Sequence, residues 1–176
     1  MRWFRSAVNF EVSMANITRR NSREWALQFL CQAEANPGKE LDSALEEFWN
    51  QQWTVKAEEL ERLGKEPKHL DRAPADRVAP RQLREFAETL IRGVLDHREE
   101  LDGQLAAHTR NWSLYRLGTV ERNVLRIAFF ELLHLDTPPP VVINEAVDVA
   151  KYFSTTEAGR FINGILDSAK ESLRRA

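Results

Sequence analysis

A chain of 176 residues has room for one domain with a sizeable core, and a net charge of −2 with a pI near 6.1 argues against a protein that coats nucleic acid indiscriminately. A single cysteine, Cys31, excludes an internal disulfide and fits a reducing compartment. No apolar run approaches the ~20 residues of a membrane-spanning helix, and the first residues lack the apolar centre of a secretory signal, so the chain is expected to be soluble and cytoplasmic.

Charge is unevenly placed. Residues 1–23 carry Arg2, Arg5, Arg19, Arg20 and Arg23 against Glu11 alone, a local balance of +4. Arginine outnumbers lysine 19 to 6, and guanidinium forks pair with phosphate and stack on bases better than ammonium does. Surface arginines also serve simply as solvating groups.

In chain order, residues 1–15 read as a disordered extension, with Met14 an alternative start close to the first helix. The periodic signals beyond it are helical, and the fold class is all-α, a compact bundle of six or seven helices filling residues 16–176. A first helix over about 18–35 buries Ala26, Phe29, Leu30 and Ala33 and stops at Asn36-Pro37-Gly38. Leu41, Leu45, Phe48 and Trp49 give a second. Beyond Trp53 the pattern dissolves into a charged, proline-containing stretch, about 54–80, of which 64–79 reads as a surface linker.

Pro80 sits near the first turn of a third helix with the cleanest apolar stripe, Leu83, Phe86, Ala87, Leu90, Ile91, Val94 and Leu95. Leu101 and Leu105 continue it or begin a short fourth. Thr119 is the expected N-cap of the next helix, with Val120, Val124, Leu125, Ala128, Phe129 and Leu132 inward and Glu121, Arg122, Arg126 and Glu131 on a charged side. Pro138-Pro139-Pro140 forces a break. A helix over about 140–153 follows, and Ser154 with Glu157 reads as the capping box of the last, about 155–174.

Polar and glycine residues interrupt those last two helices at Asn144, Asn163 and Gly164, where they cost roughly 0.5 to 1 kcal/mol each against Ala. Buried amides need paired partners, and glycine lets helix backbones approach closely. We therefore expect these three to lock the last two helices together. At the other end, Arg19, Arg20 and Arg23 flank the core face at a helix N-terminus, where free backbone N–H groups and the dipole already favour an anion.

The ordered series Leu125-Arg126-Ile127-Ala128, Glu131-Leu132, Ile143-Asn144-Glu145-Ala146, Ala150-Lys151 and Phe161-Ile162-Asn163-Gly164-Ile165-Leu166-Asp167, with Arg19-Arg20-Asn21-Ser22-Arg23-Glu24 upstream, resembles the NusB family of bacterial transcription antitermination factors. The resemblance spans about 18–53 and 81–173. It implies a helical, non-catalytic factor that pairs with the ribosomal protein NusE and binds single-stranded boxA RNA in ribosomal RNA transcripts, within an RNA polymerase antitermination complex containing other Nus factors. It places Arg19, Arg20, Arg23, Arg160 and Phe161 near RNA and Glu121 and Arg122 at the NusE partner. Phe161 also reads as a core aromatic, and Glu121 and Arg122 as ordinary solvent-exposed residues. Cys31 stands where the motif often has Tyr, which removes a ring for base stacking, and residues 54–80 look like an insertion.

Enzyme signals do not emerge. His69, His97, His108 and His134 lack metal-ligand spacing, Cys31 has no evident base partner, and no glycine-rich phosphate loop or GxSxG turn is present, so neither cofactor nor metal is expected. Two other readings stay open. One is a helical adaptor that binds protein alone. The other is the NusB-like domain of ribosomal RNA cytosine methyltransferases, against which stands the lack of any βαβ pattern or catalytic Cys motif after the helices.

Overall fold

The computed structural model describes residues 18–66, 72–109 and 116–173. The expected extension over 1–15, with Met14, lies outside these residues. Among them are eight helices: α1 (Arg19–Ala35), α2 (Leu41–Arg62), α3 (Pro74–Val78), α4 (Arg81–Asp96), α5 (Arg98–His108), α6 (Thr119–His134), α7 (Pro139–Phe153) and α8 (Thr156–Leu173). The two beyond six are α3, too short to show a period, and α5, which is separate from α4.

Local chemistry sets the boundaries. Thr18 and Asn21 form a capping box at the start of α1, the Asn21 Oδ1 accepting from the Thr18 N–H at 2.9 Å. Gly38, at φ +94°, makes the turn after it that other residues resist. The Glu40 carboxylate caps α2 by accepting from the Asp42 and Ser43 N–H groups at 3.0 and 2.8 Å. Gly118, not Thr119, is the N-cap of α6. Thr155, not Ser154, caps α8, its Oγ1 accepting from the Ala158 N–H at 3.0 Å.

The α2 helix does not end near Trp53. It runs to Arg62 because its outer residues are good helix formers and Arg62 pairs with Glu59 one turn back, at 2.6 Å. The segment read as a linker partly folds back on it. Val78 and Ala79 are buried, the Arg77 guanidinium stacks 5.1 Å from the Trp53 ring centroid, and Lys56 Nζ donates to the Arg77 and Val78 carbonyls at 2.7 and 2.9 Å, closing the C-terminus of α3.

The core is one cluster organised on α6, which packs against α1, α4, α5, α7 and α8. Every residue from 123 to 131 is buried, so Arg126 and Glu131, expected on a charged side of this helix, are interior. Toward α2 the core is aromatic, with Phe29 edge-on to Phe48 at 5.5 Å and Trp25 edge-on to Trp49 at 5.6 Å. Trp49 Nε1 donates to Glu88 at 2.9 Å and ties α2 to α4. The close α4–α6 crossing depends on Gly93, where a Cβ would overlap the Phe130 ring.

Candidate nucleic-acid interface

Because α6 runs antiparallel to α1 and α7 antiparallel to α6, the N-terminus of α1 meets the C-terminal half of α6 and the first half of α7. Its three arginines meet three different surroundings there. Arg19 is exposed, with its guanidinium 4.7 Å from the Phe86 ring centroid. Arg20 is half-exposed and donates to Glu145 through Nε at 3.1 Å and Nη2 at 2.9 Å, and to Asp148 at 2.8 Å. These carboxylates hold Arg20 firmly charged, and the Arg20 bonds in turn hold the Glu145 carboxyl below its usual range.

Arg23 does not flank the core; it is part of it. Its side chain is 5 % exposed, and Nε and Nη2 form a bidentate pair with Glu131, 1 % exposed, at 2.7 Å each. With Nε and Nη2 both engaged by Glu131, Arg23 has little donor capacity left for a phosphate. Glu24, beside it in sequence, is half-buried near Arg20 and Glu145. Burial pushes its carboxyl up to about 7, Arg20 opposing and Glu145 reinforcing the shift. Arg19, Arg20, Arg23 and Phe86, with residues of the α6–α7 loop, line an open cleft of about 860 Å³.

The second group lies at the other end of α7. Ser154 Oγ donates to Glu121 Oε1, which brings the start of α8 to the start of α6. Gly159 is the close-approach glycine of this corner: a Cβ would stand 2.7 Å from Lys151 Cγ and 3.3 Å from the Val147 carbonyl. The Lys151 stem therefore lies against α8 one residue from Arg160. Arg160 is exposed and Phe161 half-buried against the core.

Asn144, Asn163 and Gly164 do not lock α7 to α8. All three are exposed; Asn163 Nδ2 donates to Asp167 one turn on at 2.8 Å, and a Cβ at Gly164 would meet nothing within 4 Å. The buried residues of the two helices include instead Ile143 and Ala146 of α7 and Ile162, Ile165 and Leu166 of α8. Arg160, Asn163, Gly164 and Asp167, spaced i, i+3, i+4 and i+7, form one outward stripe on α8.

Glu121 and Arg122 are less accessible than expected, both being half-buried. Arg122 donates to Glu34 at 2.7 Å and to the Leu117 carbonyl at 3.1 Å. Beneath it Arg126, 4 % exposed, pairs with Glu34 and with Asp102 at 2.7 Å. Burial alone would raise the Glu34 carboxyl, but Arg122 and Arg126 outweigh it and the net shift is downward. Cys31 lies beside this network; burial raises its thiol to about 11, so it is no thiolate at neutral pH.

Sequence reasoning missed Glu131, Glu145 and Phe86 as partners of the N-terminal arginines, and no local spacing signals them. It also treated the histidines as scattered, whereas the fold sets His97 and His134 with ring centroids 4.1 Å apart.

Comparison with known proteins agrees with this architecture. The NusB family model matches residues 20–171. The transcription antitermination protein NusB of Methylacidiphilum infernorum is 36 % identical over 162 residues, 91 % of this chain and 96 % of that protein. T. maritima NusB superposes with a TM-score of 0.68 at 30 % identity, covering 88 % of this chain and 92 % of that one. A crystal structure of the antitermination factors NusB and NusE in complex with dsRNA matches with a TM-score of 0.61 at 26 % identity, covering 88 % and 96 %. With a match this long and relatives this similar over nearly their whole length, the chain belongs to the NusB family.

Proposed function

We propose that the chain is a non-catalytic, cytoplasmic transcription antitermination factor. It binds boxA-type single-stranded RNA of ribosomal RNA transcripts together with the ribosomal protein NusE, as part of an RNA polymerase complex with other Nus factors. Membership of the NusB family over residues 20–171 carries this reading. Consistent with location away from a bilayer, no helix among the described residues is long and apolar enough to cross a membrane.

The α8 stripe is the surface we assign to RNA. An exposed mid-helix glycine costs about 1 kcal/mol against Ala, and at Gly164 no packing contact repays it. A ligand that needs close backbone approach does. Arg160 and Lys151 supply phosphate contacts beside it, and the half-buried Phe161 is the aromatic side chain available for a base. Arg19 is the N-terminal contact, with Arg20 available where a phosphate displaces Asp148. Glu121 and Arg122 are assigned to the NusE side, through the part of each that remains accessible.

Titration of a boxA oligonucleotide, with and without NusE, tests the reading. RNA and NusE should each tighten the other's binding by the same factor, typically about 5- to 150-fold for coupled sites. Arg160→Ala should weaken RNA binding and lower the log-log salt slope by about 0.7 at unchanged Tm. NusE affinity that is identical with and without RNA, together with no direct RNA binding, would instead establish the protein-only adaptor.

A further inference from the structure

His97 ends α4 and opens α5, Glu100 lies in the first turn of α5, and His134 is the last residue of α6. One ligand atom from each of the three lies within 4.8 Å of the others. We propose that His97, Glu100 and His134 form a binding site for a divalent transition-metal ion of the zinc class, which clamps the α4–α5 corner to the C-terminus of α6.

The geometry suits a metal in three respects. First, His97 Nδ1 is 2.9 Å from the Gly93 carbonyl, which can only accept, so Nδ1 carries the proton and Nε2 presents its lone pair. This backbone anchoring of the second ring nitrogen is what metal-ligating histidines use to fix tautomer and orientation. Second, His134 Nε2 stands 3.0 Å from Glu100 Oε2. Two ligands of a tetrahedral zinc, each about 2.0–2.1 Å from the ion, are separated by about 3.3 Å. The ion takes the place of the proton that now bridges them, and only the third vertex has to draw in.

Third, the rings are held while the mouth stays open. Phe130 stacks on His134 at 5.3 Å and contacts His97 at 5.6 Å, and it is itself seated in the groove left by Gly93. His134 and Glu100 face solvent, so an ion has an entry path and a fourth position for water. Two imidazoles and one carboxylate select zinc, cobalt, nickel or copper over magnesium and calcium, which prefer oxygen shells. Residues 135–138, directly after His134, wall the cleft at Arg19 and Phe86, so the clamp would also fix one side of that cleft.

The test is calorimetric titration of ZnCl2 into chelator-treated, full-length protein, with Tm followed against free metal. One equivalent should bind and raise Tm, and MgCl2 should do neither. Co2+ in the same site should give the intense visible absorption of tetrahedral coordination rather than the weak bands of an octahedral aquo ion. His134→Gln and Glu100→Gln alter exposed side chains; each should keep the parent far-UV spectrum and lose more than about tenfold in zinc affinity. His108→Gln and Cys31→Ser should bind as the parent does. The proposal is overturned if zinc binding is absent, if it survives His134→Gln and Glu100→Gln unchanged, or if it is lost in Cys31→Ser or His108→Gln instead.

Discussion

Replacing Arg23 by Met is expected to destabilise the protein by about 3–5 kcal/mol, because it leaves the Glu131 carboxylate buried without its partner. The size follows from the enclosure. Both nitrogens of the Arg23 fork lie 2.7 Å from Glu131, and the two side chains are 5 % and 1 % exposed, so neither water nor another cation replaces the lost bonds without opening the α1–α6 interface. For a chain of this length 1 kcal/mol moves Tm by roughly 2–4 °C, which converts the loss to roughly 6–20 °C. Calorimetry on Arg23→Met, Glu131→Met and the double variant measures it. The double variant should recover most of the loss, since an apolar pair of similar volume commonly replaces a buried ion pair without penalty. RNA affinity of Arg23→Met, measured well below its Tm, should match the parent. A variant that melts with the parent but binds RNA with a salt slope lower by about 0.7 would refute the reasoning and make Arg23 a surface phosphate ligand.

Gly164→Ala should stabilise by about 0.5–1 kcal/mol, because the position is open and helical, whereas Gly93→Ala should cost about 1–3 kcal/mol or more against the Phe130 ring; chemical denaturation of both reads the contrast. Glu24 gives a pH signature. Its folded-state carboxyl titrates at about 7 against an ordinary 4.5, so the folded protein holds the proton longer than the unfolded chain and stability from this group falls as pH rises from 4.5 to 7. Glu24→Gln should flatten that part of the stability-pH curve and be the more stable protein above pH 7, by at most about 3 kcal/mol; parallel curves would place Glu24 in water.

Hydrophobic periodicity located most of the helices, and it erred where it was asked to report helicity instead of burial. The α4 stripe names the residues that are buried or half-buried in the core, and α1 ends where Asn36-Pro37-Gly38 places its stop. Past Trp53 the α2 helix packs on the short α3 and buries no residue fully, so its apolar pattern fades while the backbone stays helical. The α3 turn has five residues, fewer than two helical periods, and its docking on α2 rests on Lys56, Arg77 and Trp53, for which no pattern exists. The surface position of Asn163 and Gly164 is legible in the sequence. Ile162, Ile165, Leu166 and Ala169 already fix the buried face at i, i+3, i+4 and i+7, and Asn163 and Gly164 fall opposite it.

The arginines fail as a sequence signal for a different reason. A helical wheel gives a side chain's angle about its own axis and says nothing of the charge that another helix brings to it. Arg23 and Glu131 are 108 positions apart, Arg20 and Glu145 are 125 apart, and only the antiparallel run of α1, α6 and α7 joins them. Arg20 and Arg23 thus meet three carboxylates, Glu131, Glu145 and Asp148, which offset their positive charge at this junction. A phosphate arriving there competes with carboxylates already in place. On the proposed reading, RNA meets Arg19 over Phe86 and the Lys151–Arg160 corner of α8 at lower cost, and these lie at opposite ends of α7. Two groups of proposed contacts set this far apart suit a strand that is also held by the proposed NusE partner better than one held by this protein alone.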